Sequence, residues 1–369
     1  TGTFDPDYAL QADGTIWATT FDGLRVTRDG GCTWDIVGGA FGGLWIGEVE
    51  VGPDGKVWVA TSSGDVGVTN DVYVSSDGTQ FDPTGLLHAN AWWRTLRVAP
   101  SDGQRIYVTG YVPPQPDGVG GQTPPEVLMY RSENGGDTWS PTALTGVVFG
   151  DIPSLELKGV SPANPDIVFA VAVAASAEAG DVLYRSTDKG ETWTEILSVN
   201  DFMPAFLALG DGTVVGGTVN DGVHVSTNGG DSFTRYEQPK MACVNHRSDG
   251  TFFSCGSNLV PDLFALGRST DLVNWSPVMR FAELDGPLAC PPGTIQYDVC
   301  ASQVWPTLQD TLGLTPDAGP VTGDPDAGTT GGGGGHCDAS GRPDAAVAAA
   351  LALLLAQALR RRRSSAGRR

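Results

Sequence analysis

Residues 88 to 98 read HANAWWRTLRV and place two tryptophans directly before an arginine, at Trp92, Trp93 and Arg94. Aromatic faces stack on sugar rings, and a guanidinium forms paired hydrogen bonds with a carboxylate. Together with Trp45 upstream, these residues therefore predict a surface that binds a glycan or a peptide carboxylate. The alternative is that Trp92 or Trp93 fills a gap in the core and that Arg94 pairs with a carboxylate of the chain itself.

Glu48, Asp151 and Asp201 are the acids that we consider first for catalysis, because each lies in a segment that leads into a predicted hairpin. Two carboxylates about 5 to 9.5 Å apart can hydrolyse a glycosidic bond. Nothing in the sequence shows that the three acids converge, so they are candidates only. The sequence contains no nucleophile elbow, phosphate-binding loop or metal-ligand motif, and we predict neither a metal site nor a cofactor.

One short segment occurs in six related copies, which we call the box segments. They read TRDGGCTW (Thr27–Trp34), SSDGTQF (Ser75–Phe81), SENGGDTW (Ser132–Trp139), STDKGETW (Ser186–Trp193), STNGGDSF (Ser226–Phe233) and STDLVNW (Ser269–Trp275). The third position is always acidic or an amide: Asp29, Asp77, Asn134, Asp188, Asn228 and Asp271. A short Asp or Asn side chain caps backbone N–H groups in a tight turn, whereas a calcium loop needs more oxygen ligands than one box provides. We therefore predict a structural function for the box segments.

A tight turn flanked by alternating apolar residues precedes each box segment. These turns are Asp13-Gly14, Asp54-Gly55, Asp102-Gly103, Asn164-Pro165-Asp166, Asp211-Gly212 and Asp249-Gly250. Asp-Gly between alternating strands is typical of a hairpin. Each repeat of 40–60 residues is therefore a four-stranded antiparallel blade, and we predict an all-β, six-bladed β-propeller. A seventh blade is expected if the sequence lacks an N-terminal part.

The box segments resemble the Asp-box (BNR) repeat of sialidases, sortilin-type receptors, xyloglucanase-type glycosidases and photosystem II assembly-factor-like propellers. The resemblance covers roughly residues 5–285. It implies that the box segments lie on the side of the propeller away from the ligand-binding face. It does not imply one activity, because propellers of this kind have many unrelated functions. The FRIP-like segment of sialidases is absent, so sialidase activity is not expected.

The end of the sequence differs in composition from the rest. We predict a propeller over residues 1–285, an extension over 286–313, a Pro/Asp/Gly-rich linker over 314–336 and a terminal segment over 337–369. The terminal segment contains Cys337, an apolar run (Ala345–Leu359) and the cluster Arg360, Arg361, Arg362 and Arg363. This order resembles the myxobacterial C-terminal sorting signal (MYXO-CTERM). The resemblance implies export to the cell surface at the outer membrane, held there by this segment or by an anchor at Cys337, with release from the cell as an alternative.

The cysteines predict disulfides rather than a metal site. Cys243 and Cys255 are symmetric about the turn at Asp249, so they face each other in an antiparallel hairpin. A second disulfide joins Cys290 to Cys300 in this prediction, and Cys32 pairing with either of them is the alternative. Disulfides are typical of an oxidising compartment.

The formal net charge is −21, although seven arginines lie beyond residue 341. A body this acidic repels nucleic acid, so we predict no nucleic-acid partner. Taken together, the sequence predicts a monomeric cell-surface or secreted binding module for an extracellular protein or glycan. The alternative is a secreted glycoside hydrolase that uses carboxylates on the ligand-binding face.

Overall fold

The repeated pattern of strands and tight turns is present in a computed structural model of the chain, which describes residues 7–20, 23–39, 41–64, 68–150, 153–172 and 180–312. Asp151 lies outside these residues. The linker over 314–336 and the terminal segment with Cys337, Arg360, Arg361, Arg362 and Arg363 also lie outside them.

Six sheets follow one another along the described chain, and each consists of four consecutive antiparallel strands. Blades 1 and 2 comprise β1 (Tyr8–Leu10), β2 (Ile16–Thr20), β3 (Gly23–Thr27), β4 (Asp35–Val37), β5 (Ile46–Val51), β6 (Val57–Thr61), β7 (Val72–Ser75) and β8 (Asp82–Pro83). Blades 3 and 4 comprise β9 (Trp92–Ala99), β10 (Asp102–Val112), β11 (Glu126–Ser132), β12 (Ser140–Pro141), β13 (Leu155–Val160), β14 (Val168–Ala172), β15 (Val182–Ser186) and β16 (Thr194–Ser198). Blades 5 and 6 comprise β17 (Ala205–Ala208), β18 (Val214–Gly217), β19 (Val223–Ser226), β20 (Thr234–Tyr236), β21 (Cys243–His246), β22 (Phe252–Cys255), β23 (Leu266–Ser269) and β24 (Ser276–Met279).

The first strand of each blade forms its inner edge. β1 lies beside β5, β5 beside β9, β9 beside β13, β13 beside β17, and β17 beside β21. Four-stranded sheets arranged in this radial order form a β-propeller. The predicted fold is therefore confirmed, and the described residues contain six blades.

The apolar core lies between neighbouring blades rather than inside any one of them. One cluster joins Trp17 of blade 1 to Val59 of blade 2, and the next joins Trp58 of blade 2 to Leu96 of blade 3. Three further clusters connect blades 3 and 4, 4 and 5, and 5 and 6 in the same way. Each sheet thus buries its faces only when its neighbours are in place.

The box segments form turns between the third and fourth strands. The side chain of their third residue accepts hydrogen bonds from groups within the same turn. In blade 4, the hydroxyl of Ser186 donates to Oδ1 of Asp188 at 2.8 Å, and the N–H of Gly190 donates to the Ser186 hydroxyl at 2.8 Å. The N–H of Thr192 donates to Asp188 at 2.9 Å, and Nε1 of Trp193 donates to the Gly190 carbonyl at 2.9 Å. The equivalent backbone N–H group donates to the side chain of Asp29, Asn134 or Asn228 in three other boxes. In the two shorter boxes, the side chains of Asp77 and Asp271 each accept from two backbone N–H groups. These bonds are the local capping that the sequence predicts.

Contacts divide the chain into two compact units. Among the described residues, one unit contains those up to Val26 together with Ile36–Arg280, and the other contains Thr27–Asp35 and those from Phe281 onward. Within the second unit, a 3₁₀ turn (Phe281–Glu283) is followed by a π-helical segment (Gln296–Val304) and helix α1 (Trp305–Leu312). Among the described helices, none is long and apolar enough to cross a membrane.

The disulfides agree with one sequence prediction and correct another. Cys243 and Cys255 are register partners in β21 and β22 and are bonded, with Cα atoms 4.9 Å apart. Cys290 is bonded to Cys32, with Cα atoms 5.4 Å apart, so the Cys290–Cys300 pairing is wrong and the alternative holds. Cys290 lies beside the first box segment, where Leu288 packs close to Gly31. Cys300 is also disulfide-bonded.

The box carboxylates make the protein sensitive to acid. The hydroxyl and backbone N–H of Thr33 lower the pKa of Asp29 to about 2, and backbone N–H groups hold the pKa values of Asp77 and Asp271 well below their usual range. A carboxyl whose pKa is lower in the folded state contributes stability that is present above about pH 4 and is lost as the pH falls through its folded pKa. The variant Asp29→Asn/Asp77→Asn/Asp271→Asn should therefore lose less of its unfolding free energy than the wild type between pH 4 and 2, measured by urea titration.

The matched control exploits a box that already contains an amide. Asn134→Asp adds a carboxyl at an equivalent position and should make the fall in unfolding free energy steeper. Parallel curves for the wild type and both variants would contradict the capping account.

Candidate ligand-binding surface on the inner strands

The first strands of blades 2, 3 and 4 each contain one extra residue. Pairing with the second strand skips Gly47 in β5, Arg94 in β9 and Lys158 in β13. A β-bulge redirects the side chain of the extra residue and is common beside functional sites. Two of the three extra residues are cations, and they lie on neighbouring blades.

Arg94 is partly buried, and its guanidinium lies over the ring of Tyr111, with Cζ 5.9 Å from the ring centroid. Within the described residues, the Arg94 side chain forms no ion pair or hydrogen bond. Burial lowers the pKa of Arg94, and the nearby Glu156 and Tyr111 oppose this. The sequence offered the alternative that Arg94 pairs with a carboxylate of the chain itself. Among the described residues, no carboxylate is in direct contact with Arg94.

Aromatic and charged side chains lie near Arg94. The ring of Trp92 packs against Tyr111 with centroids 6.0 Å apart. On the next blade, Nζ of Lys158 contacts a carboxylate oxygen of Glu156 at 3.0 Å. Burial alone would raise the pKa of Glu156, but Lys158 and Arg94 lower it overall. We call Trp92, Arg94, Tyr111, Glu156 and Lys158 the bulge surface.

Hydrogen bonds hold the backbone that leads into the bulge surface. The side-chain amide of Asn70 donates to the carbonyls of Ala91 at 2.8 Å and Ser63 at 2.9 Å. The carboxylate of Asp71 accepts from the N–H of Leu86 at 2.8 Å. The N–H of Leu157 donates to the hydroxyl of Thr95 at 3.0 Å, which joins β13 to β9. The bulged strands are therefore positioned by buried polar groups from blade 2 and by each other.

Trp93 is a correction to the predicted ligand-binding residues. It is fully buried, its ring meets Tyr130 edge to face at a centroid distance of 5.7 Å, and its Nε1 donates to the Asn70 carbonyl at 3.4 Å. Because neighbouring strand residues face opposite sides, Trp93 enters the core while Trp92 stays partly exposed. Trp45 is partly exposed just before β5, and its backbone N–H donates to the hydroxyl of Ser63 at 2.6 Å.

Glu48 lies in a second charged group, on the inner strands of blades 1 to 3. Nη1 of Arg97 donates to Glu48 and, at 3.3 Å, to Glu50. Asp7 precedes β1 and accepts the N–H of Val49 at 3.0 Å. We call Asp7, Glu48, Glu50 and Arg97 the acid cluster.

The acid cluster contains three carboxyls but only one guanidinium, that of Arg97. When all three carboxyls are ionised, the cluster therefore has a net negative charge. Burial raises the pKa of Glu48 to about 8 and that of Glu50 to about 7; Arg97 opposes both increases and Asp7 adds to them. Burial also raises the pKa of Asp7. Raised carboxyl pKa values are frequent at functional sites but also occur in structural ion-pair networks.

Asp201 does not belong to the acid cluster and is a structural residue. Its carboxylate accepts from the side-chain amide of Asn220 at 3.1 Å and from the N–H of Asp221 at 3.1 Å. Its carbonyl accepts the N–H of Asp181, whose own carboxylate accepts the N–H of Met203 at 2.7 Å. These bonds hold the loops between blades 4 and 5, which accounts for the burial of Asp201. Catalysis by Asp201 is therefore not supported.

Asp7 and Glu50 are the acids that adjoin Glu48, and the sequence analysis did not select either of them. Glu50 follows Glu48 at strand spacing, and both stand in an otherwise apolar strand. Arg97 lies between the apolar residues Leu96 and Val98 of β9. Charged residues at such positions indicate paired, buried charges, and this signal could have identified them. In the described part of the chain, no group of three or more His, Cys, Asp or Glu side chains is arranged to hold a metal ion.

Comparison with known proteins gives distant similarities to solved structures only. No protein-family model matches it, and no curated protein does. Among solved structures it is similar to YCF48 from Cyanidioschyzon merolae, with 15% identity over 73% of this chain and 83% of that one and a TM-score of 0.47. The α-L-arabinofuranosidase Arb93a of Fusarium graminearum has 13% identity over 70% and 88%, with a TM-score of 0.44.

A third similar structure is the GH74 enzyme of Niastella koreensis, with 17% identity over 71% of this chain and a TM-score of 0.32. The chain spans 53% of the length of that enzyme. The propeller fold is therefore established by the six four-stranded sheets of the chain itself.

The acid cluster should make stability depend on pH in the direction opposite to the box carboxylates. Glu48 and Glu50 have raised pKa values when folded, so the folded state binds more protons than the unfolded state between about pH 5 and 8. The free energy of unfolding should therefore fall as the pH rises through this window, by on the order of 1 kcal/mol per pH unit. Glu48→Gln/Glu50→Gln should flatten this dependence in urea titrations at pH 5, 6, 7 and 8.

Glu195→Gln on β16 is the control, because that glutamate is exposed. Its stability profile should follow the wild type. An identical slope in the double variant would show that the cluster does not exchange protons in this window.

Proposed function

We propose that this protein is a non-catalytic binding module whose ligand is held on the bulge surface through a carboxylate. The observation that carries the proposal is the guanidinium of Arg94, which is partly buried, stacked on Tyr111 and free of a carboxylate contact within the described residues. In a chain of net charge −21, a partly buried cation without such a contact is unusual. It matches a negatively charged group that arrives with a ligand.

The other members of the bulge surface suit the remainder of such a ligand. Trp92 and Tyr111 offer aromatic area beside the guanidinium, which favours a sugar ring or an apolar side chain. Lys158 and Glu156 form a charged pair at the other side, which supplies donors and acceptors to polar groups. The ligand class is therefore an extracellular protein with an accessible carboxylate, or an acidic glycan.

Export to the cell surface is part of this proposal. The Cys32–Cys290 and Cys243–Cys255 disulfides support an oxidising compartment, and the sequence of the terminal segment supports sorting to the outer membrane. The bonding shared by the six box segments supports membership of the Asp-box propellers.

A second function, glycoside hydrolysis, is favoured by one observation only. The acid cluster brings Asp7, Glu48 and Glu50 together on inner strands with raised pKa values, as a general acid requires. The contacts of Arg97 with Glu48 and Glu50 instead support a structural ion-pair network, so we rank this function below binding.

Binding to glycan and peptide arrays tests the proposed function with the full chain. Arg94→Ala should weaken binding of the array's carboxylate-bearing hits about 10- to 100-fold, since a hydrogen bond to a charged group contributes about 1.5–3 kcal/mol. Arg247→Ala removes an exposed arginine elsewhere and should leave binding unchanged. Equal binding by the wild type and Arg94→Ala would reject the bulge surface.

The same preparations separate the two functions. Incubation with the glycan hits should release no reducing sugar. Release that disappears in Glu48→Gln but persists in Arg94→Ala would instead establish hydrolysis at the acid cluster.

A further inference from the structure

The third strand of blade 3 is longer than the fourth strand that lies beside it. β11 contains seven residues and β12 contains two, and β12 pairs only with Tyr130 and Arg131. In blade 4, by contrast, the pairing of β15 with β16 begins at the first residue of β15, Val182. Residues Glu126–Met129 of β11 therefore extend beyond the fourth strand, and we call them the open edge.

The chain leaves blade 3 soon after β12, which explains why its fourth strand is short. The N–H of Thr142 donates to the carbonyl of Met129 at 2.9 Å. Three residues later, the N–H of Thr145 donates to the carbonyl of Glu191 at 3.0 Å, and the carbonyl of Thr145 accepts the N–H of Trp193 at 2.8 Å. Thr145 is thus bonded to the box segment of blade 4, so the chain does not continue along β11.

Val127 directs its backbone groups to this uncovered side. In an antiparallel strand, alternate residues turn both their N–H and their C=O toward the same neighbouring strand. The carbonyl of Met129 faces Thr142, so the N–H and C=O of Val127, two residues earlier, face the same side. Within the described residues, neither group has a hydrogen-bond partner on that side.

The equivalent residues of blades 4 and 5 do have partners. Five residues before the serine of the box segment are Val127 in blade 3, Asp181 in blade 4 and Asp221 in blade 5. The N–H of Asp181 donates to the carbonyl of Asp201 at 3.0 Å, and the carbonyl of Asp181 accepts the N–H of Val199 at 3.0 Å. The N–H of Asp221 donates to the carboxylate of Asp201 at 3.1 Å. Blade 3 therefore lacks backbone pairing that the next two blades have.

The open edge is short and has two fixed ends. Pro124 and Pro125 precede it, and a proline has no N–H to offer to a further strand. Thr142 occupies the other end through its bond to Met129. Prolines and a short edge prevent the open-ended association of many chains, so the open edge accommodates one added strand in one register.

The side chains near the open edge suit a segment with aliphatic and basic residues. Val127, Val147 and Phe149 pack against the same apolar cluster between blades 3 and 4, and Val148 in this segment is 74% exposed. Glu126 is exposed and forms no ion pair within the described residues. Opposite charges on neighbouring strands stabilise their pairing, which favours a lysine or arginine beside Glu126.

We propose that the open edge binds an extended segment of another protein, which adds to blade 3 as an antiparallel strand and exchanges hydrogen bonds with the N–H and C=O of Val127. Addition of a strand to an exposed sheet edge is a general way of binding a peptide, in which backbone pairing supplies affinity and side chains supply specificity. Here Glu126 and Val148 select basic and aliphatic side chains. The site is separate from the proposed function, because it requires neither Arg94 nor a carboxylate of the ligand.

Titration of the full chain with a peptide, followed in ¹⁵N–¹H spectra, tests the proposal. The probe is the β16 sequence Thr194–Ser198 between two lysines, because β16 pairs with the third strand of blade 4. It carries Glu195→Gln and has both ends capped, so that it contains no carboxylate. The amide signals of Val127 and Met129 should shift saturably, and hydrogen exchange at Val127 should slow at least about 10-fold at saturation, since its N–H becomes bonded. Arg94→Ala should bind this peptide as the wild type does.

Two changes remove the backbone pairing. Val127→Pro deletes the N–H on the open side, which the ladder with β10 does not use, and should weaken binding at least about 10-fold. The same peptide methylated on alternate backbone nitrogens should bind the wild type at least about 10-fold more weakly, because it loses its donors. The second comparison does not depend on how Val127→Pro folds.

Three results would overturn the proposal. The first is the absence of a saturable shift at Val127 in the wild type. The second is equal binding of the methylated and unmethylated peptides. The third is slow hydrogen exchange at Val127 in the free chain, which would show that another part of the chain or a second copy already covers the open edge.

Discussion

Packing between neighbouring sheets is the interaction on which the rest of this protein depends. A four-stranded blade of short strands cannot bury its own faces, and the apolar clusters accordingly connect one blade to the next. Aromatic side chains bury roughly 150–250 Å² each, which explains why Trp17 and Trp58 stand at the blade interfaces. The glycines of the box segments complete this arrangement, because any Cβ on Gly136 would press on the indole of Trp58.

The local features of the fold could be predicted from the sequence because each depends on a few adjacent residues. The hairpin at Asp54-Gly55 needs only a positive φ, which is 81° at Gly55, and the box of blade 4 needs only Ser186, Asp188 and Thr192. The Cys243–Cys255 disulfide could be predicted because the two cysteines are opposite each other across a hairpin. These elements are determined by the residue types in the turns and by the alternation of apolar residues in the strands. Both features can be seen in a single sequence.

Features that join distant residues could not be predicted in the same way. Cys32 and Cys290 are 258 residues apart, and the sequence offered their pairing only as an alternative, since it does not decide which distant cysteines meet. The choice between Trp92 and Trp93 depends on strand register and on the bulge at Arg94, which the sequence does not reveal. The acid cluster likewise requires three blades to be in place before Glu48, Glu50 and Arg97 become neighbours.

We propose ligand binding at the end of the strands that carries Arg94, and the box segments cap the turns at the other end. Polar groups that cap loops, such as Asp201 and Asp71, are saturated by backbone donors. Arg94 differs from them, because its interaction within the described residues is with an aromatic face. That contrast, rather than the identity of the fold, is the reason for placing ligand binding on the bulge surface.

The most direct measurement of this account is the ¹⁵N–¹H signal of the Arg94 side chain during titration with acetate, the simplest carboxylate, with Arg94→Lys used to assign the signal. We expect a saturable shift at Arg94 while the exposed Arg247 responds weakly and without saturation. An Arg94 signal that does not move, or that follows Arg247, would contradict the claim that this guanidinium is available to a ligand carboxylate.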